Sequence, residues 1–313
     1  MPGSRYDARA AELERMLKSY EQAHGDLPGI RDPTMRTVLI QQIIDSERRV
    51  DYFRHLLARQ VDPDSWNPRS SGFDPIRAAI VHRDRGDLDE AMWMVFLFVH
   101  FGKHSRGGWR YSRDVYGRLG AARAEWWTWK NVSDDPLAFR YWLDANQAAL
   151  RAGPAPHGFS NHRKYESLNA WDETGTGAAV ESYVNWVESF GGDHKSMLTA
   201  LQRLTPEDSF DALYRSVGSV QRFGRIAQFD YATTVMKLEL AVLRPPHSYL
   251  IGSTGPLRGA RLLFTGDTAS GSPKRLQSLL SELSIETGLG ADVLEDAVCN
   301  WQKNPSTYVN FSG

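Results

Sequence analysis

DLDEAMWMVFLFVHF, Asp87–Phe101, is the stretch on which the fold turns. Its centre, Ala91–Val99, is the longest unbroken apolar run in the chain, far short of the roughly 20 residues that span a bilayer. Read as a helix, the stretch is apolar around most of its circumference, and such a helix belongs at the centre of a core. Outward from it the pattern stays helical. Toward the N-terminus, Asp74-Pro75 reads as a helix start, preceded by the connector VDPDSWNPRSSGFDP. Before that, Asp32-Pro33 opens a helix that can run to Leu57 with a broad apolar stripe, and Ala8–Tyr20 has helical spacing. Toward the C-terminus, Asp134-Asp135-Pro136 starts a helix to about Arg151, which Gly153, Pro154 and Pro156 end. Further helices are expected over Gly177–Phe190, Asp193–Leu204, Pro206–Val217 and Gly224–Leu243, the last stopped by Arg244-Pro245-Pro246. A Gly-rich stretch, Ile251–Asp267, follows, then helices from Pro273 and over Ala291–Gln302. No series of alternating strands emerges. The fold class is all-α, read as one two-lobed domain over 1–313, with N-terminal helices over about 1–60 and a lobe boundary near 153–160.

Composition narrows the function. The 313 residues carry 37 Lys and Arg against 38 Asp and Glu, a net charge of −1, which excludes a wholesale polycation but not a local basic groove. The single cysteine, Cys299, cannot form an intramolecular disulfide and reads as packing in an apolar helix. With no apolar h-region in MPGSRYDARAAELER, these features point to a soluble cytoplasmic protein without membrane contact.

Four constellations carry chemistry. In Gly102–Lys130, seven cations stand against two acids, interleaved with tryptophans 109, 126, 127 and 129. Lys103, His104, Arg106, Trp109 and Arg110 lead this belt. Phosphates need cations and bases need flat surfaces, and the belt offers both; the plainer reading is core tryptophans beside a solvated face. The loop Asn161-His162-Arg163-Lys164-Tyr165-Glu166 masses polar side chains where binding groups are often placed. A turn at Arg222-Phe223-Gly224-Arg225 opens a helix whose free N–H groups can hold a phosphate, with Asp230 under two turns beyond. Gly252-Ser253-Thr254-Gly255-Pro256-Leu257-Arg258-Gly259 is neither a P-loop nor a Rossmann turn, but its glycines allow a close backbone approach and Arg258 can meet an anion. Asp267 follows it. His100 and His104 are spaced i,i+4, but Gly102 breaks the helix between them, so no metal site is expected; no cofactor is expected either.

Taken together, HFGKHSRGGWRYSRDVYGRLG (100–120), SNHRKYESL (160–168), FGRIAQFDYATT (223–234) and GSTGPLRGARLLF (252–264) resemble the alpha-glutamyl/putrescinyl thymine pyrophosphorylase family, its third clade in particular. The likeness runs from about Glu47 to the C-terminus. It implies a helical fold like that of helix-hairpin-helix DNA glycosylases and a link with hypermodified pyrimidines in phage DNA. Some relatives look like antiphage glycosylases that remove glucosylated hydroxymethylcytosine. In the family-type hairpin, Arg222 stands where the first Gly is usual, while Phe223 and Gly224 match. The usual catalytic Asp, about twenty residues on, has no counterpart, since no acid lies between Glu239 and Asp267.

The expectation is therefore a DNA glycosylase that excises a bulky modified pyrimidine from phage DNA and leaves abasic sites. Asp230 is the first candidate for the catalytic carboxylate and Asp267 the second. The expected DNA- and base-binding groups come from the belt, the 161–166 loop, Arg222, Gly224, Arg225, Gly252, Ser253, Thr254, Gly255 and Arg258. The alternatives are a transferase that couples an amine to an activated hydroxymethylpyrimidine, and a non-catalytic reader of modified DNA.

Overall fold

The computed structural model describes residues 4–152 and 158–310. Among them are fourteen α-helices, several short 3-10 turns and no strand beyond an isolated bridge between His104 and Gly108. In chain order they are α1 (Ser4–His24), α2 (Pro33–Leu57), α3 (Pro75–Asp84), α4 (Leu88–Phe101) and α5 (Arg110–Tyr116). Next come α6 (Trp129–Asp134), α7 (Pro136–Arg151), α8 (Thr176–Glu188), α9 (His194–Leu201) and α10 (Pro206–Ser216). The last four are α11 (Arg225–Lys237), α12 (Gly255–Thr265), α13 (Pro273–Thr287) and α14 (Ala291–Trp301). The all-α expectation holds.

The helix starts follow from capping chemistry. Asp74, Asp87, Asp135 and Asp193 each accept a hydrogen bond from a first-turn N–H of α3, α4, α7 and α9, filling donors that have no partner within the helix. Proline at the first position of α3 and α7 lacks only an N–H that would be idle there. Two expectations need correction. The helix opened by Gly224 ends at Lys237 rather than Leu243, and Glu239 turns into the left-handed region at φ 56°. The Gly-rich stretch contains a full helix, α12. Its glycines serve helix packing: a Cβ on Gly255 would lie 2.7 Å from Cys299 Sγ, and one on Gly259 would lie 2.2 Å from the Val298 carbonyl oxygen. The Gly153–Pro156 punctuation lies outside the described residues.

The chain forms two compact units, one of residues 1–54 with 245–313 and one of 55–244. In the first, α1 and α2 share a core with α12–α14, built from side chains such as Leu13, Ile43, Leu263, Leu280 and Trp301. In the second, α4 is the central element, packed against α3, α5, α6, α9 and α11. Trp93, at its middle, is fully buried, stacks on Phe96 with centroids 5.1 Å apart and donates its indole N–H to the Trp127 carbonyl at 2.7 Å.

Glu90 is a charged exception on α4. Its Oε2 accepts the Trp129 backbone N–H at 2.8 Å, yet burial pushes the carboxyl up from 4.5 to about 7 against that bond and the Tyr116 hydroxyl. A raised folded-state value means stability is full below 4.5 and is lost as pH rises through 7. The loss amounts to about 3 kcal/mol at 1.36 kcal/mol per tenfold change in proton concentration. His100 and His194, pushed down by burial, act in the opposite sense over an overlapping range, so the informative quantity is the variant-minus-wild-type difference. Denaturant melts of Glu90→Gln at several pH values should show the variant gaining on wild type between pH 5 and pH 8. A difference that does not change with pH would count against a Glu90 carboxyl raised by burial.

Candidate functional site

Three of the motif segments, far apart in sequence, meet in the second unit. α4 ends at Gly102, at φ 63°, where a side chain would be strained. The close approach excludes one as well, because a Cβ there would lie 2.2 Å from Ser160 Oγ. Ser160 N–H donates to the Phe101 carbonyl at 2.9 Å, so the loop of residues 160–166 starts against the end of α4. A 3-10 turn, Asn161–Arg163, then directs Arg163 inward. Arg163 is 8% exposed; its Nε donates to the Val99 carbonyl at 2.7 Å and its Nη2 to Asp230 Oδ2 at 2.8 Å. The Val99 carbonyl belongs to the last turn of α4, where intrahelical donors run out, and Arg163 uses that end as its anchor. Asp230, in the second turn of α11, keeps 44% of its side chain exposed. One carboxylate oxygen is thus fixed by a buried guanidinium while the side chain still reaches solvent.

The fork of Arg222, from the turn before α11, reaches the same loop. It grips Glu166 with both arms, Nε to Oε2 at 2.7 Å and Nη2 to Oε1 at 3.1 Å. This is the planar, two-bond geometry in which Arg–carboxylate pairs are strongest. The hydrogen bonds to Glu166 in turn raise the Arg222 guanidinium above its ordinary value. Arg222 itself sits at φ 69°, a conformation rarely adopted by residues other than Gly, Asn or Asp. Strain of this kind gathers where surrounding structure holds it for a purpose. Two residues on, Gly224 is the N-cap of α11; no side chain caps it and no atom lies within 4 Å of where its Cβ would be. The segment Gly218–Gly224 lines a shallow, open depression.

His100 lies beneath this cluster, fully enclosed. The Thr176 hydroxyl donates to the Ser167 carbonyl at 2.7 Å, so the His100 Nε2–H donates to Thr176 Oγ1 at 2.9 Å. Burial, then Arg163 and Arg222, push the imidazole down to about 3. It stays neutral and braces the loop. Sequence reading had treated His100 only as a failed metal ligand. The Gly102 break was the visible sign that α4 delivers its end to a site.

The remaining predicted residues have varied surroundings. Asn161, His162 and Lys164 are exposed on the loop, as are Lys103 and Arg106 on the belt. His104 Nδ1 accepts the N–H groups of Arg106 and Gly107, closing its own turn. Trp109 donates to Asp74 at 3.2 Å, with the Lys103 ammonium 5.9 Å above its ring. Arg110 caps α7 through the Leu150 and Ala152 carbonyls, and Arg225 lies over the Phe229 ring. Trp126, Trp127 and Trp129 are buried, so these rings of the belt fill core space instead of forming flat surfaces for bases. In the first unit, Asp267 is exposed and accepts from the N–H groups of Ala269 and Ser270, which hold its carboxyl below the usual range together with the Ser270 side chain. Ser253 donates to the Leu250 carbonyl, while Gly252, Thr254 and Arg258 are exposed around the start of α12 and Gly255 is packed against Cys299.

Among the described residues, no group of three or more His, Cys, Asp or Glu is placed to hold a metal ion, and no helix is long and apolar enough to cross a membrane. The family model described as alpha-glutamyl/putrescinyl thymine pyrophosphorylase clade 3 matches residues 34–313. No curated protein and no solved structure matches the chain.

Proposed function

Because the chain belongs to the alpha-glutamyl/putrescinyl thymine pyrophosphorylase family, we propose that it acts on hypermodified pyrimidines in DNA, as a glycosylase that releases the modified base. One observation carries this reading: the Asp230 carboxylate, half exposed, is locked by buried Arg163 on the helix that the Arg222–Gly224 turn opens. A base inside a duplex must be swung out, at a cost of a few kcal/mol, before its N-glycosidic bond is reachable. The start of α11, where Gly224 offers no side-chain cap, would hold a phosphate beside the extruded nucleotide. As the bond to the base breaks, positive charge builds on the deoxyribose. A carboxylate already aimed at that charge stabilises the transition state without reorganising, and it can orient the attacking water. Exposed Asn161, His162 and Lys164 would meet polar groups appended to the base. Phage DNA is the natural source of such bases, and excision would leave abasic sites in it as a defence.

A second reading draws on the family's name, which describes a pyrophosphorylase of modified thymine. In it the protein would join an amine to an activated hydroxymethylpyrimidine as pyrophosphate leaves. Mass spectrometry of small molecules released from several differently modified phage DNAs separates the two. Free modified base with matching abasic sites is the expected result. Release of pyrophosphate with a heavier nucleoside, seen only when an amine is added, would replace the glycosylase with the transferase.

A further inference from the structure

Away from Asp230, in the same unit, two arginines share one indole. The guanidinium carbon of Arg85, just after α3, lies 4.7 Å from the Trp66 ring centroid, and that of Arg123 lies 4.9 Å from it. Both cations are therefore within about 10 Å of each other. Both side chains are exposed, and among the described residues neither guanidinium makes an ion pair or a hydrogen bond. Two exposed cations gathered on one ring raise the local positive potential that draws an anion. The ring beneath them is held by packing: Trp126 meets it at 6.3 Å and His82 at 6.1 Å, both edge-on. His82 is 6% exposed and its Nε2 has no hydrogen-bond partner, while its Nδ1 is 3.5 Å from Asp87. Asp87 Oδ1 caps α4, so the nearby acid is already engaged. The turn leading to Arg123 is strained, with Arg118, Leu119 and Gly120 all at positive φ.

A guanidinium stacked on an aromatic face uses its flat side for the ring and keeps its in-plane N–H fork for an acceptor. A phosphate, with several oxygens around one centre, suits two such forks at once. We infer that Arg85 and Arg123, mounted on Trp66, form a phosphate-binding clamp. Its ligand is the phosphodiester of a nucleic-acid backbone if the DNA reading above holds, and a free phosphate group otherwise. The Trp-rich segment thus contributes Arg123 and the Trp126 ring that packs against Trp66, rather than open ring faces for bases.

The test uses the full-length protein and a short duplex of ordinary, unmodified DNA, so it does not depend on base release. Anisotropy titrations across a salt series are run on wild type and on Arg85→Gln/Arg123→Gln. Arg15→Gln, which removes a charge from an exposed position on α1, sets the change due to net charge alone. The double variant should bind about tenfold more weakly on any sequence, with a salt slope shallower by about 1–2. Each single variant should fall between, and melting temperatures should not change because both side chains are exposed. In parallel, inorganic phosphate is titrated while the Trp66 indole N–H resonance is followed. A saturable shift absent from the double variant, with no change in DNA slope, assigns the clamp to free phosphate. An unchanged salt slope in a folded double variant, together with no phosphate-dependent shift of the Trp66 resonance in wild type, overturns it. The two proposals fail separately: base release can fail while the arginine variants still change binding, and the reverse.

Discussion

Asp230→Asn protein is expected to fold with nearly wild-type stability and to release modified base at least about a hundredfold more slowly. The stability expectation follows from geometry. The Asn amide oxygen can still accept the Arg163 Nη2–H bond, now 2.8 Å long, so the buried guanidinium keeps a partner. Asp230 is also nearly half exposed, and ion pairs in that setting are worth about 0–1 kcal/mol. The rate expectation follows from charge. The amide preserves shape and hydrogen bonding but carries no negative charge to meet the developing oxocarbenium ion. Removing a preorganised electrostatic group of this kind typically costs about 10²–10³ in kcat. Asp267→Asn is the matched comparison. Its carboxylate closes an exposed turn by accepting two backbone N–H groups, so base release should stay within about twofold of wild type. Equal rates for Asp230→Asn and wild type, with the fold intact, would remove Asp230 from the chemistry.

Trp93→Ala should have the opposite profile, a large loss of stability from a residue that touches no candidate site group. The indole is fully buried, stacks on Phe96 and lies within 6.2 Å of the Trp129 ring. Truncating a buried Trp removes its transfer free energy and leaves a cavity that neighbouring helices only partly close, about 3–5 kcal/mol in all. It also leaves the Trp127 carbonyl without its 2.7 Å donor in the interior. For a unit of this size, each kcal/mol lowers the melting temperature by about 2–4 °C, so a drop of roughly 6–20 °C is expected. Thermal melts by circular dichroism measure it directly. A drop of only a degree or two would mean that α4 is not the keystone its packing indicates.

The contrast shows where sequence reading succeeded. The ends of α3, α4 and α7 were legible because Asp74, Asp87 and Asp135 act locally, each on N–H groups two or three residues ahead. The central place of α4 was legible because an all-round apolar helix has nowhere else to go. α12 was missed because Gly255, Pro256 and Gly259 resemble a loop in isolation. Proline is at home in a helix's first turn, and the two glycines are repaid only by close packing on Val298 and Cys299. Of the two readings open for the belt, the core one holds for Trp126, Trp127 and Trp129, and the sequence left that choice open for a similar reason. Whether an indole faces solvent or core depends on what packs over it, and composition does not carry that information.

At the candidate site, the sequence by itself supplied the residue types, the helix-opening turn at Arg222–Gly224 and the nomination of Asp230. The tertiary structure decided the pairings: Arg163 with Asp230, 67 residues apart, and Arg222 with Glu166, 56 apart. Helix starts and core helices are set by interactions within a few residues, which a single sequence displays. Ion pairs across a fold are set by how α4, the 160–166 loop and α11 pack, and many charged residues compete for each partner until that packing selects one.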